Sequence, residues 1–303
     1  MTIKKVSIIG LGALGIMYGN FIAEKVSEGA LRIVADSKRI QKYREQGIYC
    51  NGKYCDFNYI NSEEEDSADL LIFTVKFGQL EEAMKAAAHQ VGQNTIIISA
   101  LNGINSEEYL AEAFGKDRVL LCTVQGMDAV KEGNQMIYHN LGNVSIGTWD
   151  GKASDNLETV TSFFDQIGLP YNMPTDMQRQ LWNKLLCNVG VNQAAAVYHT
   201  NYGGLQRDGE PREVMLKAMK EVIAVAKAMN ISLTKADIDT WIIIINSLNP
   251  EGKPSMCQDI EAHRPTEVEL FAGTIIRLGK QYKIPTPVND ILYGRIKEME
   301  AAS

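Results

Sequence analysis

The sequence predicts an α/β fold: a Rossmann-type parallel sheet with its helices in the N-terminal part, then an all-α C-terminal part. Three observations predict it. Short apolar, β-branched runs alternate with helical stretches over the first ~170 residues, which is the pattern of a parallel sheet. After Pro174 only helical periodicity remains. The chain also opens with a strand, a glycine-rich turn and a helix in immediate succession.

Val6-Ser7-Ile8-Ile9 reads as a buried strand, and Gly10-Leu11-Gly12-Ala13-Leu14-Gly15 follows at once. Ile16, Met17, Tyr18, Phe21 and Ile22 then give helical character. In that context the three glycines are the fingerprint of a dinucleotide site. The first makes the tight turn, the second lets the backbone approach the pyrophosphate, and the third lets helix and strand pack closely. The free N–H groups and the dipole at the helix start favour the anion.

Further strands are predicted over 31–35, 69–75, 95–99 and 118–124, with helices over 79–90, 106–114 and 153–167. A small β addition falls at 135–138 and 143–147. Pro170 and Pro174 bracket a short extended stretch, which sets the domain boundary between 1–172 and 173–303. Beyond it, helices are predicted over 175–198, 211–229, 234–247, 255–262, 267–282 and 288–300.

The 303 residues are 45% hydrophobic and 22% charged, as in ordinary globular proteins. A net charge of −7 carries no basic footprint for nucleic acid. The five cysteines form no disulfide framework, and Cys50 and Cys55 lack the partners of a zinc set. The four histidines are scattered, so no metal is expected. Residues 1–5 lead straight into a strand and leave no room for a secretory signal, and the apolar run 241–245 is too short to span a bilayer. A reducing, cytoplasmic setting is the expectation.

The segment 181–197 is apolar nearly all round, as in a buried helix, yet Lys184, Asn188 and Asn192 recur at i, i+4 and i+8. Each step turns about 40° on an α-helix, so the three form one slanting stripe. Such a stripe is costly on a buried helix unless it faces a polar cavity or a ligand; the alternative is a solvated face. Ser255 stands at a plausible N-cap after Pro254, with Asp259 on the first turn. Thr266 is a second candidate N-cap, followed by Glu267 and Glu269.

Taken together, these segments resemble the ketopantoate reductase family. The resemblance spans nearly the whole chain: Gly10-x-Gly12-x-x-Gly15, Val75-Lys76-x-x-Gln79, Leu101-Asn102-Gly103, Trp182-x-Lys184-Leu185-x-x-Asn188-x-x-x-Asn192, Ser255-Met256-x-Gln258-Asp259, Thr266-Glu267 and Ile284-Pro285-Thr286-Pro287-Val288-Asn289. It implies a Rossmann domain and a helical domain with the active site in a cleft between them. The implied reaction is NADPH-dependent reduction of ketopantoate to pantoate, a step toward pantothenate and coenzyme A. Lys184 would be the general acid, its pKa depressed in a dehydrated cleft. Glu267 would take a hydrogen bond from the substrate hydroxyl. Asn188, Asn192 and Ser255 would hold the substrate's carboxylate and hydroxyl, and Asp259 would position its helix. The dinucleotide would lie along Gly10, Leu11, Gly12, Ala13, Leu14 and Gly15, with Lys76, Gln79 and Asn102.

The sequence departs from the family in three places. Asp36 stands at the end of the second strand, where many members carry an Arg for the 2′-phosphate of NADPH. It lies about 20 residues past the last glycine, the spacing of a carboxylate that binds the ribose hydroxyls of NAD. Against this, Lys38 and Arg39 follow at once and could supply the cationic partner of a 2′-phosphate, and Asp36 could equally cap the next helix. Gln193 replaces a proline, and Ala272-Gly273 replaces Asn-Gly, which points to a reshaped substrate pocket. Two other readings compete: a related dehydrogenase for another small branched 2-keto acid or an imine, and a non-catalytic dinucleotide sensor. Residues 241–245 offer apolar surface for a homodimer, or an internal core.

Overall fold

The computed structural model describes residues 2–302. The chain divides into two compact units, Met1–Gln180 and Leu181–Ser303.

In the first unit, β1 (Val6–Ile9) leads into α1 (Ala13–Ala23), β2 (Leu31–Ala35) into α2 (Ser37–Gln46), and the short β3 (Tyr49–Cys50) and β4 (Lys53–Tyr54) into β5 (Asn58–Asn61). Then come β6 (Ala68–Phe73), α3 (Leu80–Ala87), β7 (Val91–Ser99) and α4 (Ser106–Phe114). The unit continues with β8 (Leu121–Met127), β9 (Val130–Glu132), β10 (Gln135–Ile137), β11 (Leu141–Gly147), α5 (Asp155–Ile167) and β12 (Tyr171–Asn172). The main sheet is parallel in the order β5-β2-β1-β6-β7. The order reverses between β1 and β6, so the loops after those two strands share the crevice where such sheets bind ligands.

Both faces of the sheet are buried. Ile8, Ile33, Ile72 and Ile96 pack with residues of α1 and α5, while Ile9, Val34, Leu71 and Ile97 pack with residues of α3 and α4. This is why the strands read as continuous apolar runs rather than alternating ones. Helix α2 is the helix that an Asp36 cap would open; its extent is not legible in the sequence because Ile40 is its one buried residue, which leaves no periodic stripe. The predicted strand 118–124 begins later, at Leu121, because Lys116–Arg118 forms a 3₁₀ turn whose Arg118 Nη1 donates to the Gly92 carbonyl at 2.6 Å.

The unit boundary falls within α6 (Met177–Cys187). The second unit holds α7 (Gln193–Val197), α8 (Tyr202–Gln206), α9 (Glu210–Ala228), α10 (Lys235–Ser247), α11 (Ser255–Glu261), α12 (Thr274–Tyr282) and α13 (Pro287–Ala301). Helix α9 is its core element, burying Met215, Ala218, Met219, Val222 and Val225.

Two predicted helices each contain one π-helical stretch. Asn188–Asn192 interrupts the predicted 175–198 helix, and Glu269–Gly273 opens the predicted 267–282 helix, which begins at Glu269. π segments are rare and widen the helix locally. Each holds a glycine in tight surroundings: a Cβ on Gly190 would lie 2.6 Å from Met219 Cγ, and one on Gly273 would lie 2.9 Å from Glu269 Oε2. Among the described residues, no helix is long and apolar enough to cross a membrane.

Candidate active site

The glycine turn is built by contacts that only glycine permits. Gly10 sits at φ +101, and a Cβ there would lie 2.7 Å from Val75 Cγ1. Gly15 packs so tightly that its Cβ would lie 1.9 Å from the Gly10 carbonyl oxygen. Thr74, at the end of β6, holds the turn from the other side: its hydroxyl donates to the carbonyls of Gly10 at 2.6 Å and Ile9 at 3.1 Å. The strand, predicted to run to 75, stops at Phe73.

Gly12 is the exposed N-cap of α1 and offers no side-chain cap, and the first turn carries no acidic residue. The helix therefore presents N–H groups to an anion with no side chain competing. Leu11 is buried and Ala13 and Leu14 are half-buried behind this edge. A dinucleotide pyrophosphate fits this arrangement.

Lys76 and Gln79 are exposed, the first as N-cap and the second as last residue of the 3₁₀ turn Phe77–Gln79 that follows β6. Asn102 is half-buried in the loop after β7. All three leave the carboxyl ends of strands, as the glycine turn does. Asp36 is the N-cap of α2: its Oδ1 accepts from the Arg39 N–H at 2.9 Å, and its Oδ2 lies 3.5 Å from Arg39 Nε. It remains a partly exposed carboxylate at the end of β2.

In the second unit, Lys184 projects from α6 and is only 7% exposed. Burial pushes the neighbouring Cys187 thiol up to about 12, although the Lys184 charge pulls the other way. Asn188 opens the π segment and Asn192 closes it. The two amides are bonded, with Asn192 Nδ2 donating to Asn188 Oδ1 at 3.4 Å. Ser255 was expected as an N-cap, but Pro254 occupies that position and makes no side-chain cap. The cap comes instead from Asn192: its Oδ1 accepts from the Met256 N–H at 3.1 Å and from the Ser255 hydroxyl at 3.0 Å. The sequence reading missed this because the partners lie 63 residues apart. Asn188 Nδ2 ends the chain of amides as a buried donor with no hydrogen-bond acceptor among the described residues. A donor left in that state suits a ligand oxygen.

Glu267 is half-buried, and its carbonyl accepts from the Leu270 and Phe271 N–H groups as the second π segment begins. Its loop is pinned at both ends. Arg264 Nε donates to Asp259 Oδ1 at 2.9 Å, and Glu300 Oε1 accepts from the Thr266 N–H at 2.8 Å and its hydroxyl at 2.7 Å. Burial pushes the Glu300 carboxyl up, but the bonds from Lys297 and Thr266 outweigh it and hold the group below the usual glutamate range. Its contribution is therefore complete above the unfolded value of about 4.3 and is lost as the pH falls through the lower folded value. Glu300→Gln should flatten the acid limb of the Tm-against-pH curve, at a cost of about 1 kcal/mol near neutrality. Superimposable acid limbs for the two proteins would refute the anchor.

The departures at 193 and 272 meet in space. Gln193 Oε1 accepts from the Ala272 N–H at 3.1 Å. Among the described residues no group of three His, Cys, Asp or Glu side chains could hold a metal ion. The Cys50 and Cys55 thiols are both buried and both raised by burial, Cys55 to about 12. On α10, Ile243 is 71% exposed, whereas Ile245 is buried and Trp241 Nε1 donates to Asn183 Oδ1 at 3.0 Å.

Comparison with known proteins gives a consistent picture. A profile described as "Ketopantoate reductase PanE/ApbA" matches residues 6–151, and one described as "Ketopantoate reductase PanE/ApbA C terminal" matches 176–300. The 2-dehydropantoate 2-reductase of Aquifex aeolicus is 28% identical over 305 residues, spanning 98% of this chain and 97% of that protein. A ternary structure of D-mandelate dehydrogenase with NADH and anilino(oxo)acetate superposes with a TM-score of 0.86 at 23% identity, over 98% of both chains. A dimeric ketopantoate reductase from Staphylococcus aureus superposes with a TM-score of 0.80 at 21% identity, over 98% of this chain and 99% of that one.

Proposed function

Because the chain belongs to the ketopantoate reductase family, we propose that it reduces 2-dehydropantoate to pantoate with NADH, holding the dinucleotide in a domain over 1–172 and the substrate in one over 173–303. The observation that carries this reading is the ordered polar stripe: the buried amine of Lys184, two bonded amides at Asn188 and Asn192, and the Ser255 hydroxyl beside them. A dinucleotide sensor has no use for a proton donor set beside such a stripe, which disfavours that alternative.

When bound, the reduced nicotinamide supplies a hydride to the keto carbon. The Lys184 ammonium stabilises the charge that gathers on the keto oxygen and donates its Nζ proton there. Asn188 Nδ2 donates to an oxygen of the substrate carboxylate. Asn192 gives its carbonyl to Ser255 and the Met256 amide, so it serves chiefly by aiming Asn188 and Ser255. Glu267 accepts from the substrate hydroxyl. Asn102 would hold the nicotinamide end, and Lys76 and Gln79 would line the dinucleotide. A substrate panel tests this directly: 2-dehydropantoate should give the highest kcat/KM among branched and aromatic 2-keto acids, and a faster alternative would reassign the substrate.

NADH is the preferred reductant on this reading. The Asp36 carboxylate accepts ribose hydroxyls and repels a 2′-phosphate, and the D-mandelate dehydrogenase noted above holds NADH. Asp36→Asn keeps a good N-cap and removes the charge. It should raise kcat/KM for NADPH by about tenfold (roughly 1.4 kcal/mol) with little change in Tm. A wild type that already favours NADPH would end the argument. We further propose a homodimer, with the exposed Ile243 face of α10 as its contact.

A further inference from the structure

We propose that Gln193 is a positioning residue that ties the two π segments together and so sets the spacing between the Asn188–Asn192 amides and Glu267. Gln193 is fully buried and so are its partners Val189, Ala272 and Asn289. Its side-chain amide uses both ends. Oε1 accepts from the Ala272 N–H in the second π segment, while Nε2 donates to the Val189 carbonyl in the first at 2.8 Å and to Asn289 Oδ1 at 3.1 Å.

Asn289 is itself immobilised. Its Nδ2 donates to Glu221 Oε2 at 2.7 Å, and the same carboxylate takes the backbone N–H groups of Val288 at 2.8 Å and Asn289 at 3.0 Å. Glu221 on α9 thus caps the start of α13, and the network runs from α9 through Asn289 and Gln193 to both π segments. An α-helix satisfies its backbone internally, whereas a π segment is a local irregularity whose backbone is open to side-chain bonds. A planar amide that donates one way and accepts the other can hold two such irregularities in register. Asn188 and Asn192 lie on the first segment, and Glu267 lies just before the second, with its carbonyl inside that segment's first turn. The bonds of Gln193 run to Val189, Ala272 and Asn289, so it acts through the two segments.

The kinetic arm of the test rests on the keto acid reductase reading, and the exchange arm does not. Gln193→Met keeps the side-chain length and removes all three bonds. In a folded variant, kcat/KM for the keto acid should fall about 10- to 100-fold, with KM for the dinucleotide unchanged. A purely structural role would lower Tm and leave the kinetics of the folded protein intact, and that result overturns the proposal. Hydrogen exchange on the wild type gives the second measurement. Amides of Asn188–Asn192 and Glu269–Gly273 should open together, with one opening equilibrium; two separate openings overturn the tether even if Gln193→Met fails to fold. If the wild type reduces no 2-keto acid but the two segments open together, the functional reading fails and the tether stands.

Discussion

Lys184→Ala should lose turnover by about 1,000-fold while binding the reduced dinucleotide as the wild type does. Reduction of a keto group puts negative charge on the oxygen before a proton arrives. A positioned ammonium supplies both the field and the proton. Lys184 is buried on α6, one helical turn before Asn188, where water is scarce and a cation acts strongly on a nearby charge. Measured on the folded variant, the loss should sit in kcat. Lys184→Arg should restore charge without restoring turnover, because a guanidinium does not release its proton near neutrality. Stopped-flow reduction with each variant, beside fluorescence titration of the cofactor, separates the outcomes. Near-normal turnover of Lys184→Ala would remove the proton donor from the mechanism.

Gly15→Ala should cost about 3 kcal/mol or more, which corresponds to roughly 6–12 °C in Tm for a unit of this size. The new Cβ would lie 1.9 Å from the Gly10 carbonyl oxygen and 2.7 Å from Thr74 Oγ1. The oxygen is backbone, fixed by the Thr74 hydroxyl at 2.6 Å, and cannot swing aside as a flexible side chain could. The clash therefore has to separate α1 from β1, moving the N–H groups that would meet the pyrophosphate. Gly12→Ala is the control. Gly12 is exposed, and its Cβ would meet nothing nearer than the Thr74 carbonyl at 3.5 Å. It should leave Tm nearly unchanged while weakening the dinucleotide, because it stands where the ligand backbone approaches. Thermal scans of both variants with and without NADH check this, and an unperturbed Tm for Gly15→Ala would contradict the packing argument.

Most of the first unit is visible in the chain order of residues. Its strands are apolar runs buried on both faces, and the turn after β1 must be glycine on local steric grounds. The polar helix α2 leaves only its Asp36 cap as a trace, and the short strands β3 and β4 are too brief to show a period. The stripe Lys184, Asn188, Asn192 is legible at α-helical spacing, but Asn188–Asn192 is π-helical. The π segment instead bonds Asn188 to Asn192 and turns Asn192 toward α11. Ser255 illustrates the same limit: local rules made it a cap, and a distant amide took the role.

Residue order along the chain was enough to specify the glycine turn, the two-part architecture and the buried cation with its amides, since each depends on neighbours within one turn or one strand. It could not specify the partners of Thr74, Ser255 or Ala272, which lie 64, 63 and 79 residues from Gly10, Asn192 and Gln193. Those pairings arise because buried polar groups must find partners once packing has excluded water. Which partner is within reach depends on how whole helices and strands stack, not on the residues beside it in sequence.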